Sequence, residues 1–184
     1  MRIKPDKMTY DYANILYEEE ARKVRNLCFQ NNINIIDMSA AGSLRRRRRK
    51  IGDIDYVINT DNNKLLKELM VENLHYYPKQ CKAFYKKRID IYDVDVFIAD
   101  DFDYYSMLFF LTGTEDWNLK IMRHLSCNTD ILYTPFMFIN KKKEKLIFSS
   151  EKEIFNTIRI EYVEPCFRTP NNINFIESKN EKIK

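Results

Sequence analysis

The stretch that decides the fold is Gly42-Ser43-Leu44-Arg45-Arg46, followed seven residues later by Asp53-Ile54-Asp55. Residues 52–59 are rich in apolar and β-branched side chains around the two carboxylates, a composition that predicts a β-strand. Residues i and i+2 of a strand point to one face, so Asp53 and Asp55 are expected side by side. Neighbouring carboxylates repel each other unless a cation lies between them. Because hard oxygen ligands favour Mg²⁺ or Mn²⁺ over Zn²⁺, the pair predicts a site for such ions.

A third carboxylate is expected on a neighbouring strand. Two metal ions that hold the attacking and leaving oxygens lie about 3.5–4 Å apart and need a further ligand. Residues 91–98 alternate polar and apolar side chains, which predicts a half-buried strand with Asp93 and Asp95 on one face. Asp95 is preferred as the ligand because the apolar residues 96–98 follow it and place it deep in a sheet. Asp93 remains an alternative.

Each motif has a simpler interpretation when taken alone. Asp-x-Asp pairs are common at strand ends and in solvated turns, and Gly-Ser before arginines is often a plain turn. The order and spacing of the motifs together are much more specific than any one of them.

This arrangement resembles the palm of the family X DNA polymerases. Thr112-Gly113-Thr114 followed by Trp117-Asn118 is similar to elements that line the nucleotide site of that family. Its C-terminal signature is matched in order by residues 150–155, Tyr162, Glu164-Pro165 and Arg168. The likeness extends from about residue 7 to residue 170. In size and layout the chain is most similar to compact viral enzymes of the family, so no lyase domain is expected.

The resemblance implies an α+β fold in two parts. A nucleotidyltransferase-type palm with a mixed β-sheet and helices is expected over residues 1–101. A small α+β C-terminal domain that binds nucleotide and DNA is expected over residues 102–176, before a polar tail over 177–184. The residue pattern predicts helices over 10–30, 63–73, 103–111 and 115–125, a strand over 33–41 that enters a phosphate loop, and a helix from residue 151.

The resemblance also implies an activity: template-directed DNA polymerisation that fills short gaps in base excision repair. Two Mg²⁺ ions, replaceable by Mn²⁺, would be held by the catalytic residues Asp53, Asp55 and Asp95. The expected partners are dNTPs and gapped or nicked duplex DNA, with the protein as a monomer and no membrane. The residues expected to contact nucleotide are Gly42, Ser43, Arg46, Gly52, Phe110, Leu111, Thr112, Gly113 and Asn118, with Lys7 as an additional phosphate contact. Those expected to contact DNA are Arg123, Lys141, Lys142 and Arg168.

Three positions depart from the family pattern. The aromatic pair expected before Thr-Gly is Phe110-Leu111 here, which affects discrimination against ribonucleotides. Asp93 replaces an arginine two residues before the third aspartate and adds negative charge beside the metals. The template-contacting arginine is Met122, with Arg123 one step later, a rotation of about 100° on a helix.

Charge and composition add further expectations. The chain has 184 residues and a net charge of +4, with six consecutive cations at residues 45–50. This run is either a solvated loop or a segment that contacts phosphates. Residues 86–88 and 141–143 are expected at hairpin turns or edges that touch the DNA backbone. The four cysteines lack any Cys-x-x-Cys motif, so free thiols are expected and a zinc site is not.

The absence of a signal peptide and of an apolar run of about 18 residues predicts an intracellular protein, in the host cytoplasm, a viral factory or the virion. Two rival functions remain at this stage. A template-independent or tRNA-directed nucleotidyltransferase shares the Gly-Ser and Asp-x-Asp core, and a catalytically silent DNA-binding protein can keep the fold.

Overall fold

A computed structural model describes residues 6–79, 83–99 and 103–176, and its fold is α+β with a mixed sheet. Three expectations fall outside these residues: the domain boundary between residues 101 and 102, the thiol of Cys81, and the tail over 177–184. In chain order the elements are β1 (Met8–Thr9), α1 (Tyr10–Gln30), β2 (Ile35–Ala40), α2 (Gly42–Arg45), β3 (Lys50–Ile51), β4 (Ile54–Thr60), α3 (Asn63–Leu74), β5 (Tyr77–Pro78), β6 (Phe84–Ile89), β7 (Tyr92–Ile98), α4 (Tyr104–Thr112), α5 (Glu115–Asn128), β8 (Ile131–Thr134), β9 (Met137–Asn140), β10 (Lys145–Leu146) and α6 (Glu151–Thr157).

The long helix α1 confirms the predicted helix over 10–30. Thr9 caps its first turn, because the hydroxyl accepts a hydrogen bond from the backbone N–H of Tyr12. Its buried side chains recur every three or four residues, which is the spacing that keeps one face of a helix against a core. They are Ala13, Leu16, Tyr17, Glu20, Ala21, Val24, Leu27 and Cys28.

The central sheet has the strand order β2-β4-β7-β6-β5. Strands β4 and β7 are parallel, and every other neighbouring pair is antiparallel. Helix α3, which confirms the helix predicted over 63–73, follows β4 in the crossover to β7. A parallel pair needs such a crossover, since a tight hairpin can join only antiparallel strands. This one parallel pair is what brings the third predicted aspartate next to the first two.

The phosphate loop expected after β2 is instead a single helical turn, α2. Gly42 begins it with φ +55°, and Arg46 ends it. Beyond this turn the backbone reaches the short strand β3, which pairs with β1 in a separate two-stranded sheet. The segment is helical and not an open loop because the backbone N–H groups of Arg45 and Arg46 donate to the carbonyl oxygens of Ala41 and Gly42, four residues earlier.

The C-terminal residues 103–176 form helices, a three-stranded antiparallel sheet of β8, β9 and β10, and two short 3-10 helices. Each of α4, α5 and α6 begins at a residue whose side chain accepts a backbone N–H, namely Asp103, Thr114 and Ser150. An aromatic core holds the helices against this sheet, with Phe109 in contact with Trp117 and Phe155. The predicted turn at residues 141–143 lies between β9 and β10.

A buried ion-pair network ties α2 to the C-terminal residues. The Glu151 carboxylate accepts hydrogen bonds from both terminal nitrogens of Arg45, at 3.0 and 2.6 Å, and one from Arg168 Nη1 at 2.6 Å. Burial raises the pKa of Glu151, but the hydrogen bonds from the two arginines outweigh it and hold that pKa below its usual value. Apolar packing of Val57 and Phe97 with side chains of α4 continues the contact.

None of the helices in the described ranges is both long and apolar enough to cross a membrane.

Replacing Glu151 by alanine should lower the free energy of unfolding by about 3–5 kcal/mol, because Arg168 would be left as an uncompensated buried charge. Urea denaturation measures the change. The control is Lys152→Ala on the same helix, an exposed side chain whose loss should cost less than about 1 kcal/mol. Equal losses in the two variants would contradict the importance of the network.

Candidate metal and nucleotide site

Three carboxylates meet at the end of the parallel strand pair. Asp55 on β4 is the register partner of Asp95 on β7, and Asp53 lies in the segment just before β4. One ligand oxygen from each of the three lies within 4.8 Å of the others. The side-by-side placement predicted for Asp53 and Asp55 is therefore found, although the strand begins one residue after Asp53. Three hard oxygen donors at this spacing form a group that could hold a divalent cation.

Electrostatics in the triad favour a bound cation. Burial is the largest cause of the raised pKa of Asp55, and the negative charges of Asp53 and Asp95 raise it further. Burial also raises the pKa of Asp95 to about 6, although the positive charge of Lys86 lowers it. The ionised form of both groups is therefore disfavoured in the folded protein, and a divalent ion at the triad would reverse this.

Position 42 must be glycine because its backbone lies so close to the triad. Its φ of +55° is unfavourable for other residues, and a Cβ at this position would lie 2.0 Å from Asp55 Oδ2. The adjacent Ala41 N–H donates to the backbone oxygen of Asp55 at 2.8 Å. The start of α2 is thus in direct contact with the metal-site strand. Gly52 is different, since it is exposed and a Cβ there would meet no atom within 4 Å.

A cationic cleft of about 770 Å³ lies on the same turn. Two of the lining residues carry a buried donor without a hydrogen-bond partner in the described part of the chain, namely the Ser43 hydroxyl and the Arg46 Nε. Unpaired buried donors are unusual, and an anionic ligand that reached them from the cleft would satisfy both. The six lining residues are Lys7, Ser43, Arg46, Arg48, Arg49 and Lys50. The structure therefore gathers three predicted phosphate contacts, Lys7, Ser43 and Arg46, around one cleft.

The Thr112-Gly113 turn lies against the arginines of α2. Arg46 Nη1 donates to the backbone oxygens of Thr112, at 2.7 Å, and of Gly113, at 3.4 Å, while Arg45 Nη1 donates to Thr112 Oγ1 at 2.9 Å. Phe110 and Leu111, the residues expected against the sugar, are half-buried on the last turn of α4. The Arg46 side chain thus holds this end of α4 beside the cleft through its hydrogen bonds to the backbone oxygens of Thr112 and Gly113.

Two predicted contacts are corrected by the structure. Asn118 is buried, where its amide donates to Phe110 O and its Oδ1 accepts from the Tyr133 hydroxyl, so the side chain points into the core instead of towards a base. Arg168 is 0% exposed and lies over the rings of Phe109 and Phe155, which places it out of reach of a DNA backbone. Both residues stabilise the C-terminal core.

The remaining predicted DNA contacts lie on the surface. Arg123 is exposed on α5, and Lys141 and Lys142 are exposed in the turn after β9. Lys141 forms an ion pair with Asp130, which is also exposed. Screening by solvent makes such a pair weak, so it does not prevent a contact with phosphate.

Lys86 lies against the triad, a position that was not expected from the sequence. It was expected at a DNA-contacting edge, but its Nζ lies 3.0 Å from Asp93 Oδ2 and 3.0 Å from Asp95 Oδ1. Lys86 is the register partner of Asp95 across the antiparallel pair β6 and β7. Working out that hairpin register from the sequence would have revealed the contact. Asp93, the alternative third ligand, thus pairs with Lys86 and lies outside the triad.

No protein-family model matches this chain, and no curated protein matches its sequence.

Replacing Gly42 by alanine should destabilise the fold by at least about 2 kcal/mol, through the strained φ and the clash with Asp55. It should also weaken Mn²⁺ binding, because the clash displaces a ligand. Denaturant unfolding and a Mn²⁺ titration measure the two effects. Gly52→Ala is the matched control and should change stability by less than about 1 kcal/mol. An unchanged Gly42→Ala protein would disprove the close approach.

Replacing Asp55 by asparagine should stabilise the metal-free protein at pH 8. Folding raises the pKa of the Asp55 carboxyl above its ordinary value of 3.8. The free energy of unfolding therefore falls as the pH rises from the unfolded pKa to the folded pKa, and it stays lowered by a constant amount above the folded pKa. Asparagine removes this cost, on the order of 1 kcal/mol. Urea denaturation in EDTA should show the gain at pH 8 and almost none at pH 4, whereas Asp116→Asn on exposed α5 should show none at either pH. Destabilisation of the Asp55 variant at pH 8 would contradict the raised pKa.

Proposed function

We propose that this protein is a template-directed DNA polymerase of family X type that fills short gaps in base excision repair. The reaction is nucleotidyl transfer from a dNTP to a primer 3′-hydroxyl, with release of pyrophosphate. One observation carries the proposal: the Asp53, Asp55 and Asp95 triad lies next to a turn whose cationic cleft contains unpaired donors. In this proposal, the five-stranded sheet with its parallel pair corresponds to the palm.

The triad offers three hard oxygen ligands within 4.8 Å, which could hold a divalent ion, and the proposed reaction uses two such ions, Mg²⁺ or Mn²⁺. When bound, the ions supply Lewis-acid activation of the 3′-hydroxyl and charge stabilisation at the leaving pyrophosphate. Asp53 and Asp55 would hold both ions. Asp95 would hold the ion at the primer terminus and so help to activate the hydroxyl.

The cleft beside α2 binds the triphosphate. The Ser43 hydroxyl and the Arg46 Nε donate to its oxygens, and Lys7 and Lys50 add positive charge at the rim. Arg46 is fixed by its bonds to the Thr112-Gly113 turn, so its Nε is held in place before the nucleotide arrives. Phe110 and Leu111, on the last turn of α4, border the sugar.

Gapped or nicked duplex DNA binds along the exposed cations. On the C-terminal side, the DNA backbone is contacted by Arg123, Lys141 and Lys142. The exposed arginines at residues 47–49 extend this DNA-binding surface next to the cleft. Because such contacts release counterions, affinity for DNA falls steeply with added salt.

A second function is favoured by one observation. Asn118 and Arg168, the residues expected to contact the base and the DNA, both face the protein interior. With these contacts absent, the cleft offers fewer groups that read a template, which suits a template-independent nucleotidyltransferase that shares the same metal chemistry.

The test is incorporation of each single dNTP into a duplex with a one-nucleotide gap, in Mg²⁺, for all four template bases. We expect extension that matches the template and that falls at least about 10³-fold in Asp95→Ala. Asp116→Ala, which removes an exposed carboxylate on α5, is the control and should retain activity.

Extension regardless of the template base, still lost in Asp95→Ala, would replace the polymerase with the template-independent enzyme. Absence of extension on gapped, nicked and single-stranded substrates alike would overturn both assignments and leave a DNA-binding protein.

A further inference from the structure

Lys86 places a permanent positive charge inside the metal site. Its Nζ lies 3.0 Å from Asp95 Oδ1 and 3.0 Å from Asp93 Oδ2, and its side chain is only 17% exposed. The contact with Asp93 has hydrogen-bond geometry, whereas Asp95 Oδ1 is buried without a hydrogen-bond partner. Lys86 is therefore shared between the two carboxylates, with the better-aligned contact to Asp93 and an ion pair to Asp95 for which a divalent cation can compete.

The position of Lys86 is fixed from the other face of the sheet. Its neighbour Lys87 points to the opposite side of β6, where its Nζ lies 3.1 Å from Glu20, a fully buried carboxylate on α1. Glu20 also accepts from the Tyr76 hydroxyl at 3.1 Å and from Lys23 at 2.5 Å. Removing one partner of the buried Glu20 carboxylate is strongly unfavourable, so its bond to Lys87 fixes the register of β6. Alternation along the strand then directs Lys86 at the triad.

We propose that Lys86 competes with the divalent cation for Asp95 and so sets the affinity and order of metal binding. The inference rests on the proposed function, because it takes the triad to be a metal site. A divalent ion at the triad would lie close to the Lys86 ammonium group, and the repulsion between the two positive charges sets them in competition for the Asp95 carboxylate. An ion that needs Asp95 would therefore bind more weakly than one that Asp53 and Asp55 could hold without it.

Asp93 gives the displaced ammonium a place to remain. It is half-buried next to the triad and already hydrogen-bonded to Lys86, so release of Asp95 leaves the lysine paired. The exchange therefore does not leave a partly buried charge alone, which would oppose metal entry. Asp93 and Lys86 act as one unit in which the lysine moves between two carboxylates.

The test is Mn²⁺ binding to the full-length protein without nucleotide or DNA, measured by the loss of free Mn²⁺ signal in electron paramagnetic resonance. We expect Lys86→Met to bind the weaker Mn²⁺ about ten-fold more tightly than the wild type, equivalent to about 1.4 kcal/mol. Lys86→Arg, which keeps the charge, should stay within about two-fold. Lys64→Met is the control, because Lys64 is an exposed residue in the first turn of α3, beyond the end of β4 that is farthest from Asp55, and it should leave binding unchanged.

A double-mutant cycle tests the role of Asp93. Asp93→Asn alone should lower the affinity for the second Mn²⁺, because Asp95 is then the only carboxylate left to pair with Lys86 in this contact. The same substitution should have a smaller effect when it is combined with Lys86→Met. Equal effects in the two backgrounds would show that Asp93 acts through its own charge and would overturn the exchange. Lys86→Gln serves in place of the methionine variant if that protein does not fold.

Three results would overturn the inference. Unchanged Mn²⁺ binding in Lys86→Met would mean that Lys86 does not compete, and weaker binding would mean that it only positions Asp95. Either result leaves the metal site and the proposed function intact, since the wild type still binds. Failure of the wild type and of Lys86→Met to bind any Mn²⁺ would instead overturn the metal site itself and the proposed function with it.

Discussion

The parallel pairing of β4 with β7 is the constraint on which the rest of the structure depends. It sets Asp55 directly opposite Asp95, and the segment before β4 adds Asp53. Only a crossover connection allows two strands to pair in this way, so helix α3 and the strands β5 and β6 are needed before the third carboxylate can arrive. The acidic cluster is a property of the topology and is not encoded by any one segment of the chain.

The cluster is balanced by cations that come from three directions. Lys86 approaches across the sheet, Arg46 comes from α2, and the exposed run that follows Arg46 lies at the rim. Arg45 pairs with Glu151, and both arginines also donate to Thr112, so each holds the C-terminal residues against α2. Arg46 in addition keeps its Nε without a hydrogen-bond partner among the described residues. Positive charge is therefore supplied where anions gather, while the overall charge of the chain remains modest.

Sequence reasoning predicted the features that local pattern controls. The helices α1, α3 and α6 begin where capping residues and apolar periodicity place them, and the side-by-side placement of Asp53 and Asp55 follows from strand alternation. It failed where the environment of a side chain depends on distant segments. Arg168 is buried because Glu151 and two aromatic rings surround it, and Lys86 pairs with Asp95 because of a hairpin register. No local signal distinguishes an arginine that contacts DNA from one that stabilises a core.

The chain has only three glycines, and two of them, Gly42 and Gly113, have no room for a side chain because Asp55 and Asn118 lie too close. Turns elsewhere in the described chain consequently use other residues with positive φ: Asn32, Arg47, His75, Asp90, Phe136, Lys143 and Arg159. Most side chains in this conformation carry backbone strain on the order of 1 kcal/mol. His75 and Arg159 are exposed. Thermal robustness can therefore be engineered into this protein at such turns, separately from the residues that would carry out its chemistry.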